Sequence, residues 1–359
     1  MSLRRRTMLG RVAAAGLVVG APGVARAQST VKLTAIAGHP PVFLWVKLME
    51  EFFIPEVDKR LADGNTGVKI EWTRAWGGTL AKLGTEIEAI RDGIGDIGFI
   101  STVFQAAHMP LQNVSYMTPF GAPDIATVTA VVEKLQAGIP SMEQAYARNK
   151  LRFLGGSALD DYHIFTTFPV KSIDDLKGRK IMAPGPSANW INGTGAVAVA
   201  SSLPEYYNNI KTGVADGVLT FVTGAVPIKL QEVAPHLTLA SFGAMFAGAL
   251  VINSTRFGRL PPAAQKVFAE VGAEYTRRFA AEQTTRAVSG LKAMEGAGLK
   301  VAELAPAERL RWAKALPNVA QKWAADLDAK GQPGKAVLKG YMDGLKAAGV
   351  KVPRDWSVE

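Results

Sequence analysis

Apolar and polar residues alternate through Val31-Lys32-Leu33-Thr34-Ala35-Ile36-Ala37, the period-two pattern of a strand. His39-Pro40-Pro41 breaks it. From Val42 to about Arg60 the spacing becomes helical, with Leu44, Leu48, Phe52 and Phe53 on the apolar face and a kink expected at Pro55. The turn Gly64-Asn65-Thr66-Gly67 leads into a second alternating strand, Val68-Lys69-Ile70-Glu71-Trp72. A helix from about Leu83 to Asp92 then passes through Gly93 and Gly95 into a third strand, Asp96 to Ile100. Strands separated by helices predict an α/β sheet with crossover connections.

A second α/β unit starts near Leu151. Its expected parts are a strand at Tyr162-His163-Ile164-Phe165, a strand over 180–183, a helix over 205–212 and a strand over 217–220. The apolar residues of 237–251 read as returning strands. Beyond Pro261 the pattern is helical almost to the end, over 263–291, 306–315, 319–330 and 335–348. There is no internal repeat and no low-complexity tail.

The first residues read as an address. Arg4, Arg5 and Arg6 precede an apolar run from Val12 to Val24, which ends on Ala25-Arg26-Ala27. This is the layout of a cleaved export signal, and the run is well short of the ~20 residues a membrane span needs. Arg5-Arg6-Thr7-Met8-Leu9 also resembles a twin-arginine signal. Cleavage after Ala27 would leave Gln28 as the amino terminus. Five of the 41 basic residues and none of the 31 acidic ones fall before that point, so the mature charge would be +5 rather than +10. No dense basic run with interleaved aromatics is present, which argues against nucleic acid as a partner. The absence of cysteine excludes disulfides, thiol catalysis and thiolate-held metals. The four histidines, His39, His108, His163 and His236, show no metal-ligand spacing, and no nucleophile elbow or dinucleotide glycine loop occurs. Neither a catalytic residue, a metal site nor a cofactor is expected.

Four collinear segments carry a resemblance. They are Trp76-Gly77-Gly78-Thr79-Leu80 with Glu88 to Asp96, Pro169 to Ile181, Leu203-Pro204-Glu205-Tyr206-Tyr207 with Ile210 to Gly217, and Gly331-Gln332-Pro333-Gly334-Lys335. Together they resemble the solute-binding proteins of TRAP (tripartite ATP-independent periplasmic) transporters, the DctP-like family. The resemblance implies a two-lobed α/β periplasmic binding protein, with a ligand cleft between the lobes and a long connecting helix. It implies residues 28–155 plus about 247–285 for the first lobe, and 156–246 plus about 286–359 for the second. It also implies a monomer in the periplasm that hands a small organic solute to the transporter's membrane subunits. A receptor-docking sensor is the alternative within the same fold, and a periplasmic enzyme is the rival class.

The departures from the family concern the ligand. An arginine usually follows the Lys-Ile of the second-lobe strand and forks onto a ligand carboxylate; here that position is Met182. A Gln-Glu-Asn stretch usually follows the Asp-Gly; here Val218-Leu219-Thr220 stands there. An organic acid with an aromatic or apolar body remains the expected solute, with an uncharged or zwitterionic one as the alternative. Arg74 is a candidate replacement cation. By position in the family, the expected ligand-binding residues are His39, Trp76, Tyr162, His163, Met182 and Thr220, with Leu203, Phe221 and Phe246 beside them. Ser101 and Thr102, after the third strand, offer hydroxyls to a polar ligand or a cap to the next helix. Asp174 and Asp175 read as a helix start, and Asp216 as a turn residue.

Overall fold

The computed structural model describes residues 29–358, so the expected export signal, 1–27, lies outside the described residues. Eleven strands run in chain order as β1 (Ser29–Ala37), β2 (Val68–Ala75), β3 (Ile97–Ser101), β4 (Leu151–Leu159), β5 (Tyr162–Thr166), β6 (Lys180–Met182), β7 (Val197–Val199), β8 (Gly217–Phe221), β9 (His236–Leu239), β10 (Met245–Asn253) and β11 (Lys300–Glu303). They form two sheets, ordered β2-β1-β3-β10-β4 and β11-β9-β5-β8-β6-β7. Within the first, β1 lies parallel to β2 and β3, while β10 runs antiparallel to β3 and β4. Each sheet is the centre of an α/β lobe.

Three passages connect the lobes. The chain leaves the first sheet at the end of β4 and enters the second at β5 through Asp160 and Asp161 alone. It returns between β9 and β10. It crosses again along one 35-residue helix, Pro262–Gly296, which at 1.5 Å per residue is about 50 Å long. The helices are α1 (Leu44–Leu48), α2 (Ile54–Asp63), α3 (Glu86–Arg91), α4 (Val114–Met117), α5 (Ile125–Gly138), α6 (Pro140–Arg148), α7 (Tyr206–Lys211), α8 (Val222–Ala225), α9 (Ser254–Arg259), the long α10, α11 (Pro306–Ala315), α12 (Val319–Asp328) and α13 (Gly334–Ala347). Helix α10 packs on β4 and α2 at one end and on α8 at the other, so it spans both lobes.

Its contact with β4 is backbone on backbone. A Cβ at Gly272 would lie 2.5 Å from the Leu154 carbonyl oxygen, and one at Gly155 would lie 2.4 Å from that of Gly272. Only glycines permit this approach, and the Gly156 N–H is left free to donate to Thr276 Oγ1 at 2.9 Å. Every residue of β10 is buried, as expected for a strand covered on both faces.

The structure differs from the spacing pattern in several places. The strand beginning at Leu151, expected to open the second unit, pairs with β10 in the first sheet, and β7 lies where no strand is expected. The first helix is interrupted by a π-helical turn, Met49–Phe53, before α2. Pro55 lies just past it and has no N–H for the carbonyl four residues back, so the regular ladder cannot run through. The next helix is shorter than 83–92, because residues 79–84 are taken up by turns. The stretch after α10 is not continuously helical: Gly298, at φ +98°, ends the turn, and β11 pairs in parallel with β9. Residues 103–150, where the spacing assigns nothing, hold α4, α5 and α6.

The capping and turn residues have clear roles. Asp175 closes a capping box with Ser172, Asp174 binds Arg311, and Asp216 accepts from the Lys180 N–H at 2.8 Å. The last two helices fold back over the first lobe, with α13 against α5 and α12 against α4.

Candidate functional site

The carboxyl ends of β1, β3, β6 and β8 converge between the lobes, the place where open α/β sheets usually bind ligands. They enclose a cavity of about 30 Å³ with fifteen lining residues. A space that small holds water rather than an organic solute, and the lobes stand closed on each other. Contacts between the lobes bear this out. The Trp45 and Phe221 rings lie 6.5 Å apart, and the Tyr116 and Tyr162 hydroxyls are 3.0 Å apart. Trp190 Nε1 donates to the Tyr116 carbonyl at 2.8 Å.

The first-lobe wall is built from the loop after β1 and from α1. His39 is 3% exposed, with its ring edge-on to Phe43 and Trp45 at 5.4 and 5.1 Å. Trp45 stacks on Phe43 at 5.0 Å, which fixes the indole plane. With no ion partner nearby, burial pushes the His39 imidazole down to about 3, so it is neutral at physiological pH. Phe99 and Ser101 of β3, followed by Val103 and Phe104, complete this side.

The second-lobe wall comes from Pro184 after β6, Leu203 and Tyr206 at the start of α7, and Thr220 and Phe221 ending β8. Tyr116, Leu159, Tyr162 and Ala247 form the floor beside the crossing strands. Burial raises all three tyrosine hydroxyls further above the ordinary phenol range, so they too are neutral. No lining residue carries a charge at neutral pH.

Several polar atoms here have no protein partner. Nε2 of His39 and Nε1 of Trp45 are both buried and unbonded. The hydroxyls of Ser101, Tyr206 and Thr220 donate to nothing among the described residues, whereas those of Tyr116 and Tyr162 bond each other. An unbonded buried donor costs about 1–3 kcal/mol. A solute carrying an acceptor would recover that cost.

Six of the eleven expected site residues line this cavity: His39, Ser101, Tyr162, Leu203, Thr220 and Phe221. The other five do not line it. Trp76 gives its indole N–H to Glu50 at 2.7 Å, and Arg74 pairs with the same carboxylate at 3.4 Å, so neither faces the cavity. Thr102 is fully buried in the turn after β3. His163 follows Tyr162 on β5 and so points to the opposite face, where Nδ1 accepts from the Ser241 N–H at 3.2 Å. Met182 is fully buried, with Sδ 3.7 Å from the Asn209 amide. Phe246 packs against Gly156 and leaves the cavity to its neighbour Ala247.

The other nine lining residues lie outside the expected set. Among them Trp45 sits in the first helix, Tyr116 in the stretch where the spacing assigns nothing, and Tyr206 in a resembling segment from which only Leu203 is expected.

Behind the His39 loop sits Glu86, 1% exposed, which accepts from the Gly84 N–H at 2.8 Å and from the Gly38 backbone. Burial outweighs these bonds and raises its carboxyl to about 7. Between its ordinary value of 4.5 and about 7 the folded protein holds a proton that the unfolded chain has lost. Stability therefore falls as pH rises through that window, by about 3 kcal/mol in all. Glu86→Gln should remove this loss. Denaturation midpoints of wild type and variant should converge near pH 5 and separate in the variant's favour by pH 8. Parallel profiles would show that Glu86 is ionised throughout.

Among the described residues no group of three or more His, Cys, Asp or Glu is placed to hold a metal ion, and no helix is long and apolar enough to cross a membrane.

Residues 59–326 match the family model described as bacterial extracellular solute-binding protein, family 7. A solute-binding protein of Albidiferax ferrireducens is 31% identical over 46% of this chain and 48% of its own length. The C4-dicarboxylate-binding periplasmic protein DctP of Rhodobacter capsulatus is 28% identical over 45% of this chain and 49% of its own. The chain thus spans about half the length of these curated relatives, although a Verminephrobacter eiseniae solute-binding protein matches over 75% of this chain and 78% of its own at 27% identity. Among solved structures, a marine metagenome TRAP solute-binding protein specific for aromatic acid ligands, in complex with 3-hydroxybenzoate, superposes with a TM-score of 0.76 at 19% identity, covering 89% of this chain and 98% of that one. A Bordetella bronchiseptica TRAP solute-binding protein with bound mandelate gives 0.71 at 25% identity, covering 89% and 99%.

Proposed function

We propose, from the premise that this chain belongs to family 7 of the bacterial extracellular solute-binding proteins, that it captures a compact ring-bearing organic solute and passes it unchanged to the membrane subunits of a TRAP transporter. The observation carrying this reading is the cavity wall itself, with Trp45, Phe99 and Phe104 on one side and Tyr206 and Phe221 on the other. Flat apolar rings packed from both lobes favour a flat apolar guest, which gains by leaving water. The aromatic ligands bound by the marine metagenome and Bordetella bronchiseptica proteins support the same class. The cavity must widen to admit such a guest, so capture requires an open form that closes on the solute.

A thermal-shift screen of aromatic and alicyclic compounds tests this, since a ligand bound only by the folded state raises the apparent melting temperature by mass action. The expected result is a saturable rise for a ring-bearing compound, compaction in small-angle scattering, and recovery of the compound chemically intact. Recovery of a converted product would move the protein to the enzyme class.

A further inference from the structure

We infer that the cleft selects an uncharged solute, a ring bearing a carbonyl or hydroxyl oxygen, and discriminates against the matching carboxylate. The inference rests on the solute-capture reading and adds the charge of the guest.

It starts from the inventory of the wall. All fifteen lining residues are neutral, and His39, the one imidazole among them, has no acidic partner to hold a proton on it. Arginines that could take that place are engaged elsewhere: Arg74 with Glu50, Arg179 over the Phe168 ring, and Arg309 with the carbonyls of Phe120 and Ser241. Two buried acids stand beside the cavity's own segments. Glu86 holds the Gly38 backbone next to His39. Asp160, buried between Leu159 and Tyr162, accepts from the Thr223 hydroxyl at 2.6 Å and from Gln283 Nε2 at 3.0 Å. An anion enclosed here would lose its hydration and meet no countercharge.

What the wall offers instead is a set of neutral donors. The indole N–H of Trp45 can only donate. It is buried and unbonded, as is His39 Nε2, which donates in one neutral tautomer and accepts in the other, and the Ser101, Thr220 and Tyr206 hydroxyls beside them bond nothing among the described residues. One or two acceptor oxygens on a neutral ring would satisfy this set without a desolvated charge.

Matched pairs differing only in charge test the inference directly: 3-hydroxybenzamide against 3-hydroxybenzoate, and mandelamide against mandelate, by calorimetry at pH 7.5. The expected result is at least tenfold tighter binding of the amide in one pair or both, with no pair in which the acid is favoured. Trp45→Phe, which keeps a ring and removes the N–H, should weaken the preferred amide at least tenfold while retaining the fold by circular dichroism. A carboxylate bound as tightly as its amide would overturn the charge selection and leave solute capture standing. Binding of neither member of either pair would overturn the ring-and-acceptor class as well. Solute capture itself would then be judged by whether a mixed metabolite extract shifts the melting temperature.

Discussion

Gly185→Ala should lower solute affinity ten- to a hundredfold while leaving both lobes folded. Gly185 lies in the turn after β6, in the second lobe, at φ +50°. A Cβ there would sit 2.4 Å from the main-chain carbonyl oxygen of Val103, in the turn after β3 of the first lobe. Pro184 and Val103 both line the cavity, so this contact is part of its rim. A flexible side chain could move aside; a carbonyl oxygen anchored to the end of a buried strand cannot. The clash is relieved most cheaply by keeping the lobes apart. An overpacking cost of about 1–3 kcal/mol would then fall on the closed form alone, and each 1.4 kcal/mol is a factor of ten in affinity. The left-handed backbone adds about 1–2 kcal/mol of strain to open and closed forms alike. Calorimetry with the tightest solute of the thermal-shift screen, together with small-angle scattering at saturation, checks both halves of the expectation. Unchanged affinity with normal compaction would mean that the lobes do not need this contact to close.

How far the sequence leads depends on whether a feature is periodic or meets across space. Strands such as β1 and β2 show in the alternation because one face is covered over much of their length, and α10 shows because its buried residues recur at helical spacing over many turns. β11 does not show: its Lys300-Val301-Ala302-Glu303 is too short and too exposed for a pattern, and only pairing with β9 makes it a strand. The cavity shows a similar division. Position at a strand end identifies Ser101, Thr220 and Phe221. Placing two neighbours on one wall fails on β5 and β10, where consecutive side chains point to opposite faces, and holds for Thr220 and Phe221 at the end of β8. Tyr162 excludes His163 in this way, and Ala247 excludes Phe246. Trp45 is the instructive omission. Its spacing is that of a core residue, and its indole does pack in the core. Only the unbonded N–H reveals a second role, and an unbonded atom leaves no mark in a sequence.

Met182→Arg, which restores the arginine usual in the family, should destabilise the free protein by about 3–5 kcal/mol and reverse the charge preference of the cleft. Met182 on β6 pairs with Val218 on β8. Two residues past Val218, on the same face of β8, stands the cavity residue Thr220, and Pro184, another, follows two residues after Met182 just beyond the end of β6. Met182 is therefore one step behind the wall, fully buried, with only the Asn209 amide near its sulfur. An arginine is long enough to bring its guanidinium forward into a space of about 30 Å³ that presents no carboxylate. Such an unpaired buried charge costs on the order of 3–5 kcal/mol. The cost should appear as a lowered denaturation midpoint with an unchanged slope. A carboxylate entering the cleft would supply the missing partner and take back much of the loss. The variant should then bind 3-hydroxybenzoate or mandelate more tightly than the matching amide, and its stability should rise most with the acid. An amide would leave the guanidinium unpaired and compete with it for room. Wild-type stability combined with an unaltered preference between acid and amide would place the side chain of residue 182 away from the cleft, and the selectivity would then rest on the wall residues alone.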